Sequence, residues 1–223
     1  MCECIAQLYP PDSYLDRLNP VSFTGSPAKQ IRESSCPDLR DRDHVIRPNH
    51  YLNAIMNKNG TLLCQKIRWG WSPVWSMGTR PPLTHLPLEI VMRSKVFKRI
   101  RNGGRALVAV DGWFDSASDG GSVTAACRFI YTKTRSEEPV YLAALAQTGD
   151  SASGCCGLVL ITQGGGGSSG PLQLLALDGK RAVRWLDHSL DWPQAQTLVS
   201  DNFNTEQAFE RIAVRQSAIA SHR

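Results

Sequence analysis

No apolar run in the sequence approaches the ~20 residues needed to cross a bilayer, and no basic flank precedes an apolar stretch near Met1. Neither a membrane span nor a secretion signal is expected. Cys-x-x-Cys pairs are also absent. The seven cysteines (Cys2, Cys4, Cys36, Cys64, Cys127, Cys155, Cys156) are odd in number and include only Cys-x-Cys and Cys-Cys spacings. That supports neither a structural zinc nor a disulfide framework, so a reducing, cytoplasmic compartment with no metal and no cofactor is expected. The tract Gly164-Gly165-Gly166-Gly167-Ser168-Ser169-Gly170 lacks the lysine and spacing of a phosphate loop and reads as a flexible tether. Internal repeats and composition breaks are missing too, and one domain over 1–223 is expected.

What is present is an ordinary globular composition: 223 residues, 42% hydrophobic and 20% charged, ample for a core. A net charge of +5 and a pI near 8.9 are too modest by themselves to specify a polyanionic partner. The distribution says more. Arg93, Lys95, Lys98, Arg99, Arg101 and Arg105 follow one another with no acid among them, which describes either a solvated helix face or a phosphate-binding one.

Along the chain, Tyr14-Leu15-x-x-Leu18 after Asp12-Ser13 predicts a short helix, and Pro20 to Pro48 is polar and irregular. Leu62 to Trp71 reads as a strand stopped by Ser72-Pro73, 76–89 as a loop, and Val91 to Ile100 as a short basic helix ended by Asn102-Gly103-Gly104. Arg105 to Val110, Cys127 to Thr132, Pro139 to Gln147 and Gly157 to Thr162 are strand-like, with a turn at Asp111-Gly112. Leu172 to Leu177 predicts a last strand and Arg181 to Asp187 a short helix. Asn204-Thr205-Glu206-Gln207 then predicts the cap of a C-terminal helix over about 204–220, with Phe209, Ile212, Ala213 and Ile219 inward. Strand-like runs joined by turns predict an α+β fold, mostly an antiparallel sheet or barrel with a few short peripheral helices.

The chain opens Met1-Cys2-Glu3-Cys4. With Met1 removed, Cys2 carries a free α-amine and a thiol on adjacent carbons. An amine with a pKa near ~8 is partly neutral at pH 7 and can form a Schiff base with an aldehyde. The thiol can then close a five-membered thiazolidine ring. An internal cysteine has no free amine for this. The alternative for Cys2 is a small buried hydrophobe.

Cys2 is followed, in order, by Arg47-Pro48-Asn49, Arg68-Trp69-Gly70-Trp71-Ser72-Pro73-Val74-Trp75, Leu107 to Asp115, Tyr141 to Leu145 and Leu158 to Thr162. Over roughly residues 1–190 the chain resembles the SOS response-associated peptidase (SRAP) family. That family's pattern runs Met-Cys-Gly-Arg, Arg-Trp-Gly-Leu-x-Pro-x-Trp, Asn-Ala-Arg-x-Glu, Pro-Ala-Asp-Gly-Phe-Tyr-Glu-Trp, Ala-Gly-Leu-Trp and His-Asp-Arg-Met-Pro. The resemblance implies a compact β-rich SRAP fold and binding of single-stranded DNA at abasic sites. It further implies a thiazolidine DNA–protein crosslink through Cys2, with a glutamate and a histidine moving protons and an asparagine beside the reacting centre. Neither a membrane nor an obligate protein partner is implied.

Several positions depart from that pattern. Glu3-Cys4 stands for Gly-Arg, Val91-Met92-Arg93-Ser94-Lys95 aligns with Asn-Ala-Arg-x-Glu, and Trp113-Phe114-Asp115 replaces Phe-Tyr-Glu. Asp178-Gly179-Lys180-Arg181-Ala182 falls on the histidine block. The resemblance therefore nominates Cys2, Asp115 and Asp178 for chemistry. It nominates Arg68, Trp69, Trp71, Arg93, Lys95, Lys98, Arg99 and Lys180 for DNA. Of Trp69, Trp71, Trp75 and Trp113, two are expected in the core and at most two on bases. His44, His50, His85 and His188 match no family histidine and are expected on the surface or satisfied in the core. Two rivals stand beside this reading. One is a degenerate single-stranded nucleic-acid binder, suggested by Val91 and Asp178. The other is a cysteine-dependent peptidase, which lacks an apparent cysteine–histidine pair near these motifs.

Overall fold

The computed structural model describes residues 2–18, 43–73, 76, 79–117, 128–136, 138–149, 156–163, 173–200 and 208–215. Val74, Trp75, the Gly164–Gly170 tract, Asn204–Gln207 and most of Pro20–Pro48 lie outside them.

The strands are β1 (Cys2–Ala6), β2 (Val45–Ile46), β3 (Tyr51–Lys58), β4 (Thr61–Arg68), β5 (His85–Pro87), β6 (Arg105–Val110), β7 (Gly112–Ala117), β8 (Arg128–Thr134), β9 (Val140–Gln147), β10 (Gly157–Gln163), β11 (Gln173–Leu174), β12 (Ala176–Leu177) and β13 (Phe209–Arg215). The helices are α1 (Pro11–Leu18), α2 (Leu88–Arg93), α3 (Lys98–Gly103), α4 (Gly179–Trp185) and α5 (Trp192–Ser200), with a 3-10 turn at Lys95–Phe97. One sheet has the order β13-β8-β7-β1-β2 and the other β11-β10-β9-β6-β3-β4, with β12 also on β9 and β5 parallel to β10. The fold is thus a sheet-dominated α+β arrangement, made of two open sheets rather than a closed barrel. Among the described residues no helix is long and apolar enough to cross a membrane.

Every residue of β6, and all but the last of β9 and β10, is buried. Both faces of these strands are covered, so they read as continuous apolar runs instead of alternating ones. On one face Ala106, Val108, Leu142, Leu158 and Leu160 join Cys2, Ile5, Trp113 and Phe209 of the smaller sheet in an inter-sheet core. On the other, Leu107, Ala109, Tyr141, Val159 and Ile161 meet the helices through Val91, Phe97, Ile100, Ala182 and Trp185. A third cluster, with Cys4, Ala6, Phe114 and Tyr131, covers the far side of the smaller sheet.

The two sheets are stitched near β1. Gln7 Nε2 donates to the carbonyls of Asn53 (2.9 Å) and Ala109 (2.8 Å), while its Oε1 accepts from Asn53 N. The turn between β6 and β7 is fixed by Asp111, whose carboxylate accepts from Leu8 N (2.7 Å) and Tyr14 Oη (2.5 Å). Burial raises the Asp111 carboxyl above its ordinary range even against these donors. Gly112, next in the chain, has no room for a Cβ, which would lie 2.5 Å from both Thr132 O and the Tyr131 ring. These contacts hold β1 in register beside β7.

Three sequence expectations change. The C-terminal helix is not formed over Phe209–Arg215, which pairs with all of β8 as strand β13. Phe209 faces the inter-sheet core while Ile212 and Val214 face the other side. This two-residue period suits the β-branched side chains, and pairing to a neighbour overrides a local cap signal. The basic helix is three short pieces, broken where Ser94 is extended (φ −87°, ψ 129°). The loop at 76–89 contains β5, a strand too short to leave a periodic signature.

Candidate functional site

Cys2 and Asp115 are direct antiparallel partners across β1 and β7. Between Cys2 and Cys4 the register shifts: two steps along β1 answer one step along β7, from Asp115 to Phe114. Without that bulge, Cys2 and Cys4 would share a face. With it, Cys4 lies in the outer cluster and Cys2 in the inter-sheet core. A bulge re-aims a side chain in this way, and bulges concentrate next to functional sites. Glu3, the extra residue, is exposed, with its carboxylate 3.5 Å from Ser116 Oγ.

Cys2 is 5% exposed, and its Sγ donates to the Cys4 carbonyl at 3.4 Å. Burial first, and the Asp115 carboxylate second, hold its thiol well above the ordinary range. It is a thiol, not a thiolate, at neutral pH. Asp115 is half-buried and accepts from Trp113 Nε1 at 3.0 Å. Trp113 is buried and lies edge-on to Phe209, with ring centroids 5.3 Å apart. Strand pairing therefore sets the Asp115 side chain on the same face as Cys2. On the outer face, burial raises the Cys4 thiol as well, opposed by the charge of Arg47 and then by a hydrogen bond from it.

His85 was not foreseen here. It pairs with Leu160 through β5 and β10, which places it on the inter-sheet side with Cys2. Its ring lies edge-on to Trp69 at 5.5 Å and its Nδ1 is 3.0 Å from Thr84 Oγ1. Its Nε2 is buried with no hydrogen-bond partner, contrary to the expectation of a surface or satisfied histidine. Burial above all, and then the amino-terminal charge, lower its pKa to about 4. The segment His85-Leu86-Pro87-Leu88-Glu89 has the spacing of Asn-Ala-Arg-x-Glu, with His85 at the asparagine position, Pro87 at the arginine and Glu89 retained. Val91, the residue set on the family asparagine by the other placement of this pattern, is packed in the helix-side core. A glutamate four residues after a polar residue is the signal that remained in the sequence.

Asp178 is not brought to Cys2. It precedes α4, whose Ala182 and Trp185 pack on the opposite face of the larger sheet. Its carboxylate caps that helix, accepting from Arg181 N at 2.8 Å. Asp178→Ala is expected to cost about 1 kcal/mol, the worth of an N-cap, seen as a drop of about 2–4 °C in Tm, with DNA interactions unchanged. Lys180 is exposed on the same helix, remote from the inter-sheet side.

The two tryptophans nominated for bases are both core. Trp69 is fully buried and its Nε1 donates to Thr84 O at 3.0 Å. Trp71 is 3% exposed, donates to Gln147 Oε1 at 3.0 Å and packs on Phe97. Between them Gly70, at φ +150°, breaks the alternation and sends them to opposite faces. Arg68, half-buried at the end of β4, points away from Ile67 and the inter-sheet core.

The cation run divides. Arg105 is buried, donating to the carbonyls of Asp187 (2.6 Å) and Leu190 (3.0 Å). Arg101 donates to Val91 O and Met92 O, both at 2.8 Å, closing the end of α2. Arg93, Lys95 and Lys98 are exposed, and the Arg99 side chain lies outside the described residues. Their helices pack on the helix-side face of the larger sheet, opposite to the one that holds Cys2. Replacing Arg93, Lys95 and Lys98 together by alanine is expected to flatten the salt dependence of single-strand binding by about 2 in log–log slope. Thermal stability should be unaffected.

The family model described as SOS response associated peptidase (SRAP) matches residues 1–219. The abasic site processing protein YedK of Escherichia coli is 24% identical over 159 residues, covering 70% of this chain and 69% of that protein. Among solved structures, a phage-related protein from Bordetella bronchiseptica superposes with TM-score 0.72 at 23% identity, covering 96% of this chain and 95% of that one. A second Bordetella bronchiseptica protein superposes with TM-score 0.67 at 11% identity, covering 96% and 100%.

Proposed function

The chain belongs to the SOS response-associated peptidase family, and from that premise we propose that it engages abasic sites in single-stranded DNA and traps their ring-opened aldehyde through Cys2. The observation that carries this is the bulge, which turns Cys2 alone of the two neighbouring cysteines toward Asp115. With Met1 removed, the α-amine attacks the aldehyde carbon, and water leaves to give an imine. The thiol then adds to the imine carbon, and its proton passes to nitrogen, with Asp115 placed to relay it.

A buried thiol is suited to ring closure more than to first attack, since burial keeps it protonated. The chemistry itself selects the reactant, since a nucleotide that has lost its base can ring-open to a free aldehyde and an intact nucleotide cannot. The relative named as an abasic site processing protein supports the same substrate. Exposed Arg93, Lys95 and Lys98 are the described members of the cation run open to phosphates, along the strand that extends beyond the lesion.

The test is to incubate the mature protein, its N-terminus verified by intact mass, with a single-stranded oligonucleotide bearing one abasic site. A denaturation-resistant complex that requires both the lesion and Cys2 supports the reading. Salt-sensitive binding without such a complex would instead mark a non-catalytic binder, and Cys2-dependent peptide cleavage a peptidase.

A further inference from the structure

We propose that His85 is the proton-transfer group for imine formation at the Cys2 site, an inference that rests on the aldehyde-trapping reading and goes beyond it. Three geometric facts converge. Pairing with Leu160 puts His85 on the inter-sheet side that holds Cys2. Thr84 fixes the ring on both flanks, with its hydroxyl 3.0 Å from Nδ1 and its carbonyl accepting from Trp69 Nε1, against which the imidazole lies edge-on. The remaining nitrogen, Nε2, is out of contact with solvent and bonded to nothing.

Leaving a buried ring nitrogen unpaired costs stability, since buried polar atoms are nearly always satisfied. A rigidly held, unsatisfied nitrogen on the inter-sheet side that also holds Cys2 is accounted for if a ligand completes it. The other described histidines do not offer this. His44 lies at the Asp111 end of β1 and has its own interaction, while His50 and His188 are exposed and sit on the carbonyls of Pro48 and Asn57.

The reaction asks for such a group. When the amine adds to the aldehyde, nitrogen must lose a proton and the departing oxygen must gain one before water leaves. When the thiol adds to the imine, the S–H proton ends on nitrogen. Aminothiol plus aldehyde gives thiazolidine plus water, with no net proton and no oxidant. One residue that takes a proton from nitrogen and returns it to oxygen is therefore sufficient. A neutral imidazole can do both. Burial, which lowers its pKa to about 4, keeps His85 neutral before reaction and makes it a weak base but a strong acid toward the departing oxygen once protonated. His85 thus supplies the histidine chemistry that Asp178, committed to capping α4, does not.

The test measures single-turnover adduct formation separately from affinity, using the full mature chain and a single-stranded oligonucleotide with one abasic site. His85→Ala is expected to slow adduct formation by about 100-fold or more while non-covalent affinity is retained. Free imidazole should then restore the rate in proportion to its concentration and leave wild type unaffected. His85→Asn, which keeps a polar group beside Thr84 but cannot carry a proton, serves if the alanine variant unfolds, and it should be slow as well. Wild-type rates in both variants would overturn the inference. So would parallel loss of rate and melting temperature with no response to imidazole. If wild type itself gives no Cys2-dependent adduct, the aldehyde reading fails and the role of His85 falls with it. A wild-type adduct with unchanged His85-variant kinetics removes only this inference.

Discussion

Serine in place of Cys2 is expected to abolish the denaturation-resistant complex with abasic single-stranded DNA completely, while serine in place of Cys4 leaves it intact. The two cysteines differ by two positions and by the direction in which their side chains leave β1. Cys2 faces Asp115 in the inter-sheet core and Cys4 faces Phe114 and Tyr131 on the outside. Cys2→Ser retains the α-amine, so it should still form an imine. That imine should be captured by borohydride yet hydrolyse on heating, because a hydroxyl closes the ring less favourably than sulfur. The measurement is a denaturing gel run with and without borohydride. Persistence of the heat-stable band in Cys2→Ser, or its loss in Cys4→Ser alone, would reject the assignment of the nucleophile and the role of the bulge together.

Trp69→Ala is expected to damage the fold, not a base-stacking contact. The side chain is fully buried, its indole N–H is bonded to Thr84 O, and it braces the His85 ring. Removing a buried tryptophan costs about 3–5 kcal/mol. For a chain of this length each kcal/mol lowers Tm by roughly 2–4 °C, so the fall should be on the order of 10 °C. The carbonyl of Thr84 also loses the indole donor and keeps only Leu160 N, at 2.9 Å. Trp69→Phe keeps a ring in the space and should lie between the two. Calorimetry on the free protein decides the matter. An unchanged melting temperature with selectively weakened DNA binding would mean that Trp69 stacks on a base and is not part of the core.

These two residues show what local sequence conveys and what it leaves open. Trp69 and Trp71 were visible as a motif, and aromatic residues in a β-rich chain serve equally as packing or as stacking platforms. Their burial depends on Leu158, Phe97 and Gln147, contributed from elsewhere in the chain. The strands Arg105–Val110, Val140–Gln147 and Gly157–Gln163 were legible because each apolar run is bounded by turn residues. Strand β13 was not, because its cap-like prelude fits a helix and only the pairing with β8 selects the extended form.

For the site, sequence alone supplied a cysteine directly after Met1, the order that an N-terminal aminothiol requires, and a carboxylate after an Asp-Gly turn. Both are properties of residue type and order. That Cys2 turns inward, that Asp115 meets it, that Asp178 belongs to a helix on the other face and that His85 carries a free buried nitrogen were decided only by tertiary structure. The reason is geometric. A one-residue shift in strand register exchanges the two faces of a sheet, and which face a side chain occupies is settled by partners distant in the chain rather than by its neighbours in sequence.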